Sequence, residues 1–349
     1  MTQTTAPTPP VTPAQRRKQI VLAHGGGGQL TDELLQHTVL PHIDGGPLGE
    51  LLDCGIVDSS SRTALTIDSF VVQPLFFPGG DIGRLAVSGT VNDLSVGGAE
   101  PLGLALSLIL AEGLERSVLD DVMESIAATA QQAGVQVITG DTKVVGRGQA
   151  DGMYITTAGI GRADNANRLH WNKIQPGDQI LINGPIADHG LAVMLTREMP
   201  QVQSVLKSDV APLNGLIRQI LATNDGAVFM RDPTRSGVAG VVAELAERSG
   251  YHIRLDEPAV PVRPETRHAA DMLGLDPLEV ANEGKVVIVA RPEAAQEILS
   301  ALQAHPQGEQ AAIIGEVEDK KDGICELCTE LGGRRILQKP YGEQLPRIC

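Results

Sequence analysis

The sequence predicts an α/β protein with mixed sheets and two domains, on three observations. A chain of 349 residues exceeds what one hydrophobic core usually organises, and a hydrophobic content of 42% can supply two cores. Strand-like and helix-like segments alternate irregularly, and several strands are adjacent in sequence, which favours mixed sheets with helices on one face. A polar stretch that contains the single Trp, residues 164–177, separates the two halves. We expect a disordered extension at 1–18, domains at 19–165 and 166–338, and a flexible tail at 339–349.

Composition excludes several classes of function. A net charge of -15, with only one Trp, three Tyr and four Phe, argues against a nucleic-acid-binding surface. The longest apolar stretches have about ten residues, such as 102–111, and are too short to span a bilayer. The first 18 residues hold four prolines and no apolar segment of the kind found in signal peptides. Four cysteines make no disulfide framework in so long a chain. We expect a cytoplasmic protein that binds neither nucleic acid nor membrane.

The first domain opens with a short apolar segment that ends in a run of glycines, His24-Gly25-Gly26-Gly27-Gly28. Consecutive glycines let backbone N–H groups turn toward an anion, although a flexible linker has the same composition. The run lacks the Lys-Ser/Thr ending of a Walker A loop. Thr31 is positioned to cap a following helix.

Acidic residues in apolar surroundings mark the stretch from Leu65 to Gly97. Asp68 lies in an apolar run, Asp81 follows a Pro-Gly-Gly turn, and the pair Asn92-Asp93 lies in a predicted buried helix, Ile82–Val96. Carboxylates are costly to bury unless they are paired or bind a metal, and few basic residues lie nearby. The pattern favours Mg²⁺ and phosphate over the alternative of helix caps and turn acids.

Two further acids and a lysine extend this set. Asp53 lies in a predicted pair of strands at 51–72. A predicted strand at 135–139 delivers Gly140-Asp141-Thr142-Lys143 at its C-terminal end, after a helix that Ser117 caps. If Asp53, Asp68, Asp93 and Asp141 converge, they imply more than one ion or some water-mediated ligands. Lys143 either neutralises a transferred phosphoryl group or is a solvated lysine at a strand end.

The second domain contributes a loop acid and two cysteines. Glu283 belongs to Asn-Glu-Gly at 282–284, which precedes a strand, so it is expected on a loop. Cys325 and Cys328 lie in a predicted hairpin at 325–336. A structural zinc site needs four ligands, and residues three apart on a strand face opposite sides. We therefore interpret the two cysteines as ordinary hairpin residues.

The last twelve residues, QKPYGEQLPRIC, end on a cysteine. Two prolines and a glycine favour an extended arm, and eleven residues past Gln338 reach at most about 36 Å. Cys349 is either a mobile carrier thiol or the last residue of a frayed tail. The residues alone leave both open.

With these residues considered together, the chain resembles the HypE-type hydrogenase maturation proteins, or carbamoyl dehydratases. They belong to the superfamily of aminoimidazole ribonucleotide synthetase (PurM) and selenophosphate synthetase. The likeness covers nearly everything after Gln19. It rests on HGGGG (24–28), DSFVVQPLFFPGGDIG (68–83), GTVNDLSVGGAEPL (89–102), GDTKVV (140–145), ADHG (187–190), RDPTRSGVA (231–239), ANEGK (281–285) and LPRIC (345–349). Cys54, Ile67, Ser95 and Ser236 depart from the family pattern, and Ser236 stands where we expect glycine.

The resemblance implies a PurM-like architecture, with an N-terminal domain that binds ATP and forms a homodimer, a C-terminal α/β domain and a mobile tail. It implies that Cys349 receives a carbamoyl group from a HypF-type carbamoyltransferase. ATP then drives dehydration to an S-cyanide, which passes to a HypC–HypD complex that builds the iron centre of [NiFe]-hydrogenase. Other ATP-using synthetases of the superfamily and a non-catalytic metal carrier are the alternatives.

The resemblance also assigns roles to residues. Cys349 is the carrier, and Lys143 with Glu283 handle protons. ATP contacts are assigned to His24, Gly25, Gly26, Gly27, Gly28, Asp81, Arg84, Asn92, Thr142 and Asp232. Mg²⁺ ligands are assigned to Asp53, Asp68, Asp93 and Asp141.

Overall fold

A computed structural model describes residues 28–34, 36–37, 55–58, 62–342, 345 and 347–349. The glycine run before Gly28 and the predicted metal ligand Asp53 lie outside the described residues. None of the helices in the described part of the chain combines the length and apolar character needed to span a bilayer.

The first domain is built on a sheet to which five described strands contribute in the order β1-β2-β7-β5-β6. Only β5 and β6 pair in parallel among them. A two-stranded ribbon, β3 with β4, precedes the long helix α2. The bounds are α1 Gln29–Leu34, β1 Gly55–Asp58, β2 Arg62–Phe70, β3 Phe76–Phe77, β4 Gly80–Asp81, α2 Ile82–Val96, β5 Glu100–Ala111, α3 Arg116–Ala133, β6 Gln136–Val145 and β7 Met153–Arg162.

Helix α2 covers one face of this sheet. Its predicted bounds are confirmed, and Leu85, Val87 and Val91 are among its buried residues. Asp81 starts the helix, because its carboxylate accepts the N–H groups of Gly83 and Arg84. The opposite face is open and apolar: Leu65 is 56% exposed and Ile67 is 67% exposed. Since isolated chains rarely leave such a patch bare, this face has the character of an interaction surface.

The second domain holds a sheet of seven described strands in the order β14-β13-β10-β12-β8-β11-β9, and β10 with β13 is its parallel pair. The bounds are β8 Gln179–Ile182, α4 Asp188–Glu198, α5 Asn214–Thr223, β9 Ala227–Arg231, α6 Gly237–Ser249, β10 His252–Asp256, α7 Pro264–Leu273, β11 Val287–Ala290, α8 Pro292–Gln303, β12 Ala312–Glu318, β13 Cys325–Cys328 and β14 Arg334–Leu337.

This second sheet carries helices on both faces, whereas the sequence predicted helices on one. Successive side chains of a strand point to opposite faces, and both sets are apolar here. On one side, Ile180 packs in a core with residues of α4 and α6. On the other side, Leu181 packs in a core with residues of α5 and α8.

Three local predictions in the first domain are wrong. Thr31 lies inside α1 and does not cap it, because Gly28 O already accepts the N–H groups of Thr31 and Asp32. Helix α3 begins before Ser117, with Glu115 in the cap position. Strand β6 does not stop at residue 139 but continues through Lys143 to Val145, because it pairs with β5 along that whole length. The predicted hairpin of β13 and β14 is confirmed.

Candidate active site

A cavity of about 260 Å³ lies between the two domains and the C-terminal tail. Strand β2 and helix α2 contribute Asp68 and Gly89 from the first domain. The turn before α6 and the loop before β11 contribute residues of the second domain, and the tail contributes its last residues. The lining includes Asp68, Gly89, Asp232, Arg235, Glu283 and Cys349. The fold thus brings together residues that lie more than 200 positions apart in the sequence.

Glu283 is the most perturbed group of this cavity. It lies on a loop, as predicted, and is 3% exposed. Its Oε1 has no hydrogen-bond partner among the described residues. Burial raises the pKa of Glu283 well above its ordinary value, and the nearby charges of Asp232, Asp209 and Asp68 add to the rise. A buried carboxyl that keeps its proton to higher pH is suited to proton transfer near neutrality.

The Glu283 loop is held from below by a buried ion pair. Lys285 Nζ lies 2.8 Å from Asp209 Oδ2, with the two side chains 9% and 4% exposed. The carboxylate of Asp209 also accepts the N–H groups of Glu283 and Gly284. A Cβ at Gly284 would lie 1.9 Å from the carbonyl oxygen of Asp209, so only glycine allows this approach. Burial raises the pKa of Asp209, but Lys285 and these hydrogen bonds outweigh it and leave the pKa below its usual range.

Asn282 fixes the same loop from its other end. Its Oδ1 accepts the N–H of Ala187 at 2.7 Å, and its Nδ2 donates to the carbonyls of Pro233 and Val280. The loop is therefore tied to the N-terminus of α4 and to the turn that carries Asp232 and Arg235. Asn282 and Lys285, the other polar residues of the ANEGK segment, therefore both hold the loop that carries Glu283.

Arg235 is a site residue that the sequence reasoning missed. The negative charges at Cys349 and Asp68 raise its pKa, and they outweigh the burial that lowers it. A guanidinium that faces carboxylates across a cavity is suited to binding a phosphate or a developing negative charge. The sequence signal that could have identified Arg235 is the RDPTRS motif, because this motif forms the turn that leads into α6. Ser236, the departure from the expected glycine, adopts φ 68°, a left-handed conformation that glycine favours.

The predicted metal ligands fall on two sides of the first sheet. Asp68 and Asp93 lie on the side of α2, where Asp93 Oδ2 accepts the hydroxyl of Thr66 at 2.9 Å. Asp141 pairs in register with Ser107 on the open face. Asp68 and Asp141 lie on strands three apart, about 14 Å across the sheet. Within one chain, therefore, Asp141 does not join Asp68 and Asp93.

Lys143 and Thr142 share the exposed strand β6 with Asp141. Lys143 Nζ lies 2.9 Å from Asp141 Oδ2, and both side chains are more than 60% exposed. The hydrogen bond from Lys143 lowers the pKa of Asp141. Lys143 therefore points away from the cavity of its own chain and toward whatever covers the open face.

Other predicted ATP contacts already have partners within the protein. Asp81 caps α2, so the capping alternative accounts for it. Arg84 Nε donates to the carbonyl of Val210 at 2.9 Å. Asn92 Nδ2 donates to the carbonyls of Ala211 and Glu283, and its Oδ1 accepts the N–H of Leu213, so it joins the two domains. A Cβ at Gly28 would lie 2.1 Å from the carbonyl oxygen of Pro340.

No group of three or more His, Cys, Asp or Glu among the described residues is placed to hold a metal ion. Mg²⁺ asks less of a protein, because it takes one or two carboxylates and completes its shell with water and phosphate oxygens. Asp68 and Asp93 fit that requirement, beside an arginine suited to phosphate. The hairpin cysteines form no such group, and burial raises the pKa of the Cys325 thiol to about 12.

The tail is attached at both of its ends. At its root, the carbonyls of Pro340 and Tyr341 accept the N–H groups of Gln29 and Leu30, and Lys339 pairs with Asp32 at 2.7 Å. At its tip, the N–H of Val71 donates to a terminal oxygen of Cys349. In this arrangement Cys349 lines the cavity, and the contacts at the root of the tail extend from Lys339 to Tyr341.

Comparisons with known proteins show the family to which the two domains belong. A family model described as the N-terminal domain of AIR synthase related proteins matches residues 52–163, and the corresponding C-terminal model matches residues 175–327. A protein of Rhizobium leguminosarum bv. viciae named carbamoyl dehydratase HypE is 44% identical over 95% of each chain.

Solved structures extend the likeness to three dimensions. A crystal structure of a HypE–HypF complex matches with a TM-score of 0.83 and 41% identity, over 88% of this chain and 99% of that one. A structure of HypE in complex with ATP matches with a TM-score of 0.79 and 41% identity, over 95% and 100% of the two chains. This chain therefore belongs to the HypE family of the AIR synthase related proteins.

Proposed function

We propose that this chain is an ATP-dependent dehydratase that converts a carbamoyl group on the thiol of Cys349 into an S-cyanide. The observation that carries the proposal is that Cys349 and Glu283 line one cavity, and that Oε1 of the buried Glu283 has no hydrogen-bond partner among the described residues. The curated relatives named carbamoyl dehydratase HypE and the ATP-bound HypE structure support it.

The chemistry removes one molecule of water from a thiocarbamate. The carbamoyl oxygen is a poor leaving group, so ATP supplies a phosphoryl group that carries this oxygen away as phosphate. Two N–H protons leave the carbamoyl nitrogen, and the S–C≡N group remains on Cys349. Glu283 or Lys143 takes a proton from that nitrogen, and Arg235 offsets negative charge as phosphate departs. Asp68 and Asp93 would hold Mg²⁺, which neutralises phosphate charge when bound.

We further propose that the site is completed in a homodimer. The open face of the first sheet is apolar, with Leu65 and Ile67 exposed, and it carries Asp141 and Lys143. A second copy packed on this face would bring its own Asp141 and Lys143 toward the cavity of the first. This arrangement accounts for the placement of Lys143 away from the cavity of its own chain.

The donor and acceptor of the group follow from the same proposal. The structure of a HypE–HypF complex supports a HypF-type carbamoyltransferase as the partner that loads Cys349. A HypC–HypD complex is the acceptor that would receive cyanide for the iron of [NiFe]-hydrogenase. To receive the carbamoyl group from one partner and to pass cyanide to the other, the tip of the tail must leave the cavity.

The test is the mass of the C-terminal peptide after incubation with the carbamoyltransferase, carbamoyl phosphate and ATP. We expect a carbamoyl adduct on Cys349 first, and then an adduct lighter by one water. Cys349→Ala should abolish both adducts and retain ATP binding, whereas Cys328→Ala, on the hairpin, should retain both. Cyanide formation by Cys349→Ala would remove the tail from the mechanism.

A further inference from the structure

Helix α4 holds the tip of the tail in place. Ile348 is 2% exposed and packs in the core with Val193 of α4 and with Phe70 and Phe77 of the first domain. The carbonyl of Ile348 lies 3.0 Å from Nε2 of His189, which is on the first turn of the same helix. Cys349 follows Ile348 directly in the chain and lines the cavity, so the contact between His189 and Ile348 lies immediately before the cavity.

The hydrogen bonds of His189 define its tautomer. Its Nδ1 lies 2.8 Å from Ser208 Oγ, and Ser208 Oγ already accepts the N–H of Val210. The carbonyl of Ile348 can only accept, so Nε2 of the neutral ring carries the proton and donates to it, and Nδ1 accepts the hydroxyl of Ser208. Burial lowers the pKa of His189, which keeps the ring neutral. An edge-to-face contact with Phe77 fixes the plane of the ring.

The same turn of α4 is bonded to the loop that carries Glu283. Ala187 N donates to Asn282 Oδ1 at 2.7 Å, and Gly190 N donates to the carbonyl of Ala281 at 3.1 Å. A Cβ at Gly190 would lie 2.6 Å from Val280, so the close approach of helix and loop requires glycine there. The group that holds Ile348 and the group that carries Glu283 therefore belong to one rigid frame.

We propose that His189 is a positioning residue: its Nε2–H holds the carbonyl of Ile348 and thereby sets Cys349 at a fixed place relative to Glu283. This inference deepens the proposed function and, for its catalytic consequence, rests on it. A buried histidine that only filled the core would also contact Phe77 and Ser208. The positioning role requires the hydrogen bond from His189 to Ile348 to fix the position of Cys349, whereas the core-filling role requires only the contacts with Phe77 and Ser208.

Two neutral amides separate these roles. In His189→Gln the terminal amide reaches the place of Nε2 and retains a donor for Ile348. In His189→Asn the shorter amide reaches the place of Nδ1, and it retains the contact with Ser208 but loses Ile348. If His189 were merely structural, the two substitutions would impair the docking of the tail equally, or His189→Gln would impair it more. The positioning role predicts that His189→Asn impairs docking and that His189→Gln retains it.

The first readout is the rate at which iodoacetamide alkylates Cys349, followed by the mass of the C-terminal peptide. Loss of one hydrogen bond should raise the undocked fraction of the tail, and hence this rate, by about tenfold in His189→Asn. The rate in His189→Gln should stay near that of the wild type. The partly buried Cys328, on β13, is the reference thiol in each sample and should react at a constant rate.

The second readout is a single-turnover dehydration of chains that are already carbamoylated. Because the docked tail then places Cys349 less precisely relative to Glu283, we expect the maximal rate to fall about tenfold in His189→Asn with the ATP concentration at half-maximal rate unchanged, and His189→Gln to restore it. Equal effects in the two variants, in either readout, would overturn the proposal. If wild-type chains formed no cyanide, the proposed function would fail, but the alkylation rates would still decide the role of His189.

Discussion

Two Asp–Lys ion pairs of nearly equal length lie in opposite environments. Asp209 and Lys285 are 2.8 Å apart, with side chains 4% and 9% exposed. Asp141 and Lys143 are 2.9 Å apart, with side chains 62% and 69% exposed. The buried pair supports the Glu283 loop, and the exposed pair lies on the open apolar face of the first sheet.

The contrast between the two pairs shows which part of the proposed site one chain completes by itself. A buried ion pair gains little over apolar packing, but the loss of one partner strands a charge in the interior. The exposed pair is screened by water and contributes little to folding, so its residues are free to serve another surface. One chain thus fixes Glu283 internally and presents Lys143 outward, as the proposed homodimer requires.

The largest expected effect comes from testing whether Lys143 acts on the cavity of a second copy. Lys143→Ala and Glu283→Gln should each lower cyanide formation by roughly 10²–10⁴-fold, as expected for loss of a proton-handling group. Each mixed dimer retains one site with Glu283 from one chain and Lys143 from the other. Random exchange in an equal mixture should therefore restore about one quarter of the wild-type activity.

The mixing experiment carries its own control. Each variant exchanged with itself should remain inactive under the same dilution and reassociation. The formation of mixed dimers is measured with two affinity tags. If mixed dimers form and activity stays at the level of the separate variants, then Lys143 does not complete the site of the other chain.

The next effect concerns stability and compares the two aspartates directly. Asp209→Asn removes the charge that faces the buried Lys285, so the free energy of unfolding should fall by about 3–5 kcal/mol. Asp141→Asn makes the same chemical change on an exposed strand and should leave the urea midpoint unchanged. Both are measured by urea unfolding at neutral pH. Equal midpoints for the two variants would show that the buried pair does not hold the Glu283 loop.

Several features of the fold were predictable because they depend on local pattern. The helix Ile82–Val96 and the hairpin at 325–336 follow from apolar periodicity and turn residues, and both are confirmed. The placement of Glu283 on a loop follows from Asn-Glu-Gly and is also confirmed. Predictions of the residue at which a strand ends were less accurate, as the extension of β6 through Lys143 shows.

The remaining site features depend on contacts between distant parts of the chain. Asp209 has no local signal that pairs it with Lys285, and nothing near His189 predicts that it meets Ile348. Asn92 was predicted as an ATP contact, yet its amide joins backbone groups of the second domain. Periodicity cannot supply such pairings, because the partners lie up to 191 residues apart.

A third aspartate, Asp188, gives the smallest effect and tests how burial acts where the ion-pair partner is a half-exposed arginine. It is fully buried, and burial raises its pKa to about 6 although Thr266 and Arg263 oppose the rise. The native state then keeps a proton that the unfolded state releases, so this group's contribution to stability is present near pH 4 and is lost as the pH rises to 6. In urea unfolding, the stability of wild type minus that of Asp188→Asn should fall across this interval. A difference that grew with pH would mean that Arg263, which is half-exposed, holds the carboxylate ionised as Lys285 holds Asp209.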